Sequence, residues 1–151
     1  MVAMRWFLRC IKPTSSLDAD AIIDRHGEPF WLATPTSDRY PTLIELVGHH
    51  GAAGFVELSW SQEDMIENFG IMIHQSYRGR GLGTALLRAL TAWLRRRRVV
   101  VVRGFVRRSD LNEHPHLLDW YARHGFTVTP VDSVVTAAFL TCNLRRRFGI
   151  F

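Results

Sequence analysis

The sequence predicts one α+β domain. Its 151 residues suffice for one hydrophobic core and are too few for two. Short apolar and β-branched runs recur between turn residues, which is strand patterning. A turn rich in glycine and arginine leads straight into an apolar-striped helix.

Taken in order, Phe7 to Lys12 alternates as a first strand, and Pro13-Thr14-Ser15-Ser16 breaks it. Leu17 to Arg25 reads as a short helix, with Ser15 or Ser16 as N-cap and Asp18 and Asp20 at its positive end. Thr34 to Pro41 is a loop. Leu43 to Val47 and Phe55 to Ser59 are strands joined across the glycine-rich turn Gly48 to Gly54. Ser61 to Asp64 is a polar connection, and Glu67 to Ile73 is a strand that ends at the glycine segment. Leu82, Leu86, Ala89, Leu90, Trp93 and Leu94 recur at spacings of three and four and define the next helix. Arg95 to Arg98 complement the dipole at its C-terminus. The β-branched run Val99 to Val102 predicts a central strand buried on both faces. Pro115 to His124 is a helix with Pro in its first turn and Gly125 past its end. Phe126 to Val131 and Val134 to Leu144 close the chain as a hairpin around Asp132-Ser133.

Composition narrows the function classes. Apolar content of 47% with 22% charged residues is that of a soluble globular chain. No apolar run approaches the roughly 20 residues that span a bilayer. Met1 to Trp6 has no secretory apolar region, so the expected location is cytoplasmic. Cys10 and Cys142 read as reduced strand thiols rather than a disulfide or metal pair. The net charge of +5 favours polyanionic partners. Eighteen of the nineteen basic residues are Arg, with Lys12 the exception. Codon bias is the plain cause, and avoidance of self-modification by an amine-modifying enzyme is the functional one.

Arg78-Gly79-Arg80-Gly81-Leu82-Gly83 is the most informative stretch. The first N–H groups of a helix lack internal partners and carry the positive end of its dipole. Glycines there let an anion reach those amides. A P-loop would need Lys followed by Ser or Thr, and Leu82-Gly83-Thr84 has no Lys. A dinucleotide turn would need a third Gly three residues after the second, whereas Gly83 follows Gly81 by two.

The same segment resembles the signature of the GNAT superfamily of acyl-CoA-dependent N-acetyltransferases: Gln or Arg, two residues, Gly, one residue, then Gly or Ala. It matches at every specified position. Ile71 to Tyr77 resembles the strand and turn before that motif, with Gln75 where Pro is common. Asp119 to Phe126 is similar to the family's late helix, and Arg9 to Thr14 with Asp18 to Ile22 to its first strand and helix.

The resemblance implies a mostly antiparallel, splayed sheet with about four helices, and acetyl-CoA as co-substrate. The pyrophosphate would lie on the N–H groups of Gly79, Arg80, Gly81, Leu82, Gly83 and Thr84, with Arg78 and Arg80 adding charge. The strand at Ile71 and Ile73 would hold the pantetheine arm, and the Ile73 N–H would polarise the thioester carbonyl. Tyr121 is the expected general acid for the departing thiolate. Glu67 is the expected base, acting directly or through water from a partly desolvated position, with Glu63 and Asp64 as substitutes and His74 as a weaker candidate. Asn112 is the candidate cofactor-arm asparagine, although His114 occupies the usual position counted back from Tyr121. His114-Pro115-His116 and His49-His50 read as solvated loop histidines, and no metal is expected.

The implied acceptor is a small-molecule or peptide amine, selected by His26 to Pro41 and by Val128 to Val134. Glu28, Asp38, Glu57, Glu63 and Asp64 hint that it is cationic. Homodimers are frequent in the family. Two alternatives stay open: a nucleic-acid-binding or RNA-modifying protein using Arg95 to Arg98 and Arg145 to Arg147, and a non-catalytic acyl-CoA-binding domain.

Overall fold

The computed structural model describes residues 21–34 and 39–145. The expected strand Phe7 to Lys12, the expected helix's first residues Leu17 to Asp20, Cys10, Asp38, and Arg146 and Arg147 lie outside the described residues. Eight strands form one sheet in the order β1-β2-β3-β4-β5-β6-β8-β7. They are Ile22–Ile23 (β1), Pro29–Ala33 (β2), Leu43–Gly48 (β3), Gly51–Gln62 (β4), Met65–Ile73 (β5), Val101–Arg107 (β6), Thr127–Pro130 (β7) and Thr136–Asn143 (β8). The helices are Leu82–Arg96 (α1), Arg108–Glu113 (α2) and Leu117–Arg123 (α3), with a 3-10 turn at Gln75–Tyr77. Among the described residues, no helix is long and apolar enough to cross a membrane.

Neighbouring strands are antiparallel except β5 and β6, whose parallel pairing stops after Met65–Val101 and Ile66–Val102. Beyond that point the two strands part, which is the predicted splay. Phe69 sits at the parting. A Cβ on Gly104 would come within 2.8 Å of its ring, so only a bare backbone at position 104 admits the phenyl. The ring then meets Tyr121 at 6.0 Å and Phe126 at 5.2 Å between centroids.

One apolar cluster joins the sheet to α1 and α3. Leu82, Leu86, Leu87, Leu90, Trp93 and Leu94 of α1 are buried against it, as their spacing predicts. Arg97, just past this helix, lies 4.7 Å from the Trp93 ring and 5.8 Å from those of Trp60 and Tyr40, and it donates to the Arg39 carbonyl. Its charge is held among aromatic rings.

Three expectations are corrected, and one stretch without a predicted element, residues 29–33, is filled. Residues 21–25 are not helical. Ile22–Ile23 is a strand, and Asp24 turns the chain by accepting the N–H groups of His26 and Glu28, each at 2.8 Å, with Gly27 in the left-handed region at φ 80°. Residues 29–33 form a strand, with Phe30 and Leu32 pointing into the core. β6 is buried on one face only: Val102, Gly104 and Val106 face the core, while Arg103, Phe105 and Arg107 are exposed. Residues 108–113 form a short helix, so the following one starts at Leu117 rather than Pro115.

Candidate active site

The parted strands, the start of α1 and helix α3 enclose a cleft of about 1110 Å³. Arg78, Gly79, Gly81, Leu82, Gly83 and Thr84 line one end of it, and Ile71 and Ile73 line its β5 wall. Tyr121 reaches the cleft from α3. Gly79 and Gly81 have φ of 77° and 80°, left-handed values that favour glycine. Gly81 is the N-cap of α1, with no side-chain cap and no acidic residue in the first turn. The leading N–H groups of a 15-residue helix therefore open onto the cleft without a carboxylate to satisfy them.

The two arginines of the motif behave differently. Arg78 lines the cleft, and its Nε donates to the Ile73 carbonyl at 3.0 Å. Arg80 turns away from it. Its Nη1 donates to Glu28 at 3.2 Å and stands 3.6 Å from the Asp24 carboxylate, its Nη2 donates to the Ser76 carbonyl at 3.3 Å, and its guanidinium lies 4.9 Å over the Tyr77 ring. Arg80 is thus a strut tying the loop to the β1–β2 turn. Burial works to raise the Asp24 carboxyl, yet the N–H groups of Glu28 and His26 and the Arg80 guanidinium together hold it below its ordinary value. The same strut carries a cation that the motif does not contain. The Arg25 N–H donates to the Arg80 carbonyl at 3.0 Å, and its Nε lies 3.3 Å from where a Cβ on Gly81 would stand. Sequence reasoning missed Arg25 because it lies more than fifty positions before the loop.

Tyr121 is 7% exposed and packed edge-on against Trp120 and Phe126. Burial, with the nearby Asp110 carboxylate adding to it, pushes its phenol up to about 12. Trp120 fixes the neighbouring helix to the loop, its Nε1 donating to the Thr84 hydroxyl at 3.1 Å. The acid candidate and the helix start are in this way held to each other.

Other candidates fall elsewhere. Glu67 is exposed and lines a neighbouring cavity instead of the Tyr121 cleft. Glu63 is at the β4–β5 turn beside Tyr40, whose hydroxyl it engages, and the Asp64 carbonyl accepts the Val100 N–H at 2.7 Å. His74 packs edge-on against Phe55, just past the other end of β5. Asn112 does not line the cleft, whereas His114 does. The carboxylates that do face the cleft are Glu57, Asp110 and Glu113.

A family model described as an acetyltransferase (GNAT) domain matches residues 41–128. Solved structures share the fold at low sequence identity. A ribosomal-protein-S18-alanine N-acetyltransferase from Escherichia coli is 23% identical, with 72% of each chain covered and a TM-score of 0.58. Ard1 from Thermoplasma volcanium is 19% identical, with 68% of this chain and 70% of that one covered and a TM-score of 0.56. A PaiA N-acetyltransferase from Thermoplasma acidophilum, solved in complex with coenzyme A, is 16% identical, with 67% of this chain and 59% of that one covered and a TM-score of 0.54. A search of curated protein sequences finds no match.

Proposed function

The chain belongs to the GNAT acetyltransferase family, and from that premise we propose that it moves an acetyl group from acetyl-CoA to a primary amine by direct attack. One meeting of parts carries the proposal: an uncapped helix start and a buried phenol share a cleft, and a hydrogen bond holds their helices together. Acetyl-CoA supplies the activated acetyl thioester. The amides of Gly79 to Thr84 receive its pyrophosphate, as the open space at Gly79 and the absent cap at Gly81 permit. Arg78 and Arg25 supply the cationic charge, since Arg80 is engaged with Glu28 and Asp24. The β5 backbone at Ile71 and Ile73 holds the pantetheine arm, and the Ile73 N–H stabilises charge on the carbonyl oxygen.

The amine nitrogen bonds to the carbonyl carbon as the C–S bond breaks. Tyr121 gives its phenolic proton to the departing sulfur and regains one from solvent. The proton left on the new amide nitrogen passes to water, and Glu67 takes part only through such a water, given its exposed position in the adjoining cavity. A phenol pushed up to about 12 is fully protonated near neutrality and therefore loaded as an acid.

Coenzyme A release over a panel of amines and peptides tests this. The wild type releases it only with an acceptor present. Tyr121→Phe loses about 10²-fold or more in kcat while keeping its acetyl-CoA affinity. Unchanged turnover in that variant removes the acid assignment, and a wild type that binds no acetyl-CoA removes the whole proposal.

A further inference from the structure

A continuous trough crosses the face of the sheet that points away from the core. The Tyr121 cleft and the adjoining cavity of about 480 Å³ share three wall residues: Ser59 on β4, Asn68 on β5 and Phe105 on β6. Two features of the trough call for a ligand, an unpaired acceptor and an open space. The Asn68 Oδ1 is buried and accepts no hydrogen bond from any described residue, a standing cost that an incoming donor removes. Gly70 pairs with Glu57 across the β4–β5 ladder, and a Cβ there would meet nothing within 4 Å. Its φ is outside the left-handed region, so neither packing nor backbone conformation accounts for a glycine in mid-strand. Such a residue weakens a strand and marks a place where something else approaches the backbone closely. The space it leaves lies across the ladder from Glu57, which lines the same cleft.

Large apolar side chains are exposed along the trough, Met72 and Phe105 in the cleft that Glu57 lines and Phe105 and Phe139 in the adjoining cavity. Phe105 is 38% exposed, Met72 47% and Phe139 53%. Soluble proteins seldom leave large apolar side chains exposed together without a use for them. Resting on the acetyltransferase reading, we propose that the acceptor is a primary amine on an apolar group, bound as its ammonium by Glu57 and Asn68 with Phe105 and Phe139 receiving the apolar part, and that it gives one proton to water before the neutral nitrogen attacks. Arg103 lines the adjoining cavity beside them and offers a donor to a carbonyl next to the apolar group. Two sources share this chemistry, an arylalkylamine and the N-terminal residue of a peptide. The second also uses Arg103.

Turnover of the full-length protein is compared on phenethylamine, a short peptide with a free N-terminal phenylalanine, spermidine, and a peptide whose only amine is a lysine side chain. One of the first two exceeds both others in kcat/KM by about tenfold or more, and whichever leads identifies the source. Glu57→Gln raises the acceptor KM about tenfold and Phe139→Ser several-fold. Calorimetry with acetyl-CoA shows that both variants are folded and bind it as the wild type does. Preference for spermidine or the lysine peptide, or an acceptor KM unmoved in both variants, overturns the proposal. Failure of the wild type to bind acetyl-CoA is a separate result of the same calorimetry, and it brings down the acetyltransferase reading on which this inference rests.

Discussion

At Tyr121, the burial that raises the phenol also links it to stability. The fold favours the protonated form, raised from 10.0 to about 12. Its contribution is complete below pH 10 and is lost as pH climbs from there toward 12, up to about 2–3 kcal/mol. Urea unfolding over that range measures it: the wild type loses stability with rising pH faster than Tyr121→Phe, and equal slopes refute the assignment. The arginines around the loop divide in the same testable way. Arg25→Gln weakens acetyl-CoA binding about five- to tenfold and leaves the melting temperature in place, because its side chain is exposed and aimed at Gly81. Arg80→Gln weakens binding and lowers the melting temperature as well, because it breaks contacts to Glu28, Asp24 and Ser76. Calorimetry and thermal melting of both variants separate the two roles. The sequence alone makes Arg78 and Arg80 look equivalent. The partners that distinguish them lie in the β1–β2 turn, joined to the loop only by the fold.

Among the elements, the pair Phe69 and Gly104 holds β5 and β6 in their parted arrangement. Gly104→Ala sets a methyl against the Phe69 ring and destabilises the protein by about 1–3 kcal/mol, as measured by urea denaturation. A variant as stable as the wild type shows that the ring moves freely. Long, strongly patterned elements were legible in the sequence. The α1 stripe and the closing hairpin lie where apolar spacing and turn residues put them, and so does the β3 to β5 meander, except that the turn expected over Gly48 to Gly54 is only His49-His50 and β4 begins at Gly51. Short elements were not. β2 is five residues beginning with Pro29, β1 is two, and α2 is a six-residue helix with no buried residue, so none develops a period. Val99 to Val102 misled because a β-branched run suggests two covered faces, whereas the alternation that reveals an open face starts at Val102 and runs through Arg107. Of the candidate site, the glycine loop was legible because a helix start open to an anion needs bare backbone there, and Tyr121 through the resemblance of its helix to the family's late helix. Glu57 was one of five carboxylates that hinted at a cationic acceptor, and the sequence could not single it out because facing the cleft depends on which way β4 presents it.

Across the whole molecule, the cleft interrupts an otherwise continuous sheet, so binding there couples to global stability. Acetyl-CoA at about a hundred times its Kd adds about 2.7 kcal/mol and raises the melting temperature by about 5–10 °C for a chain of this size. A thermal shift assay detects that rise, and no shift at saturating acetyl-CoA contradicts a folded-state site. The hydrogen bond from Trp120 to Thr84 also has an optical consequence. Trp31, Trp60 and Trp93 lie away from the cleft, whereas Trp120 lines it and touches the first turn of α1. Among the described residues, one indole stands where an arriving phosphate changes its surroundings. A quench or blue shift of intrinsic fluorescence on adding acetyl-CoA that Trp120→Phe abolishes is the signal of Trp120, and the protein then reports its own occupancy without a label.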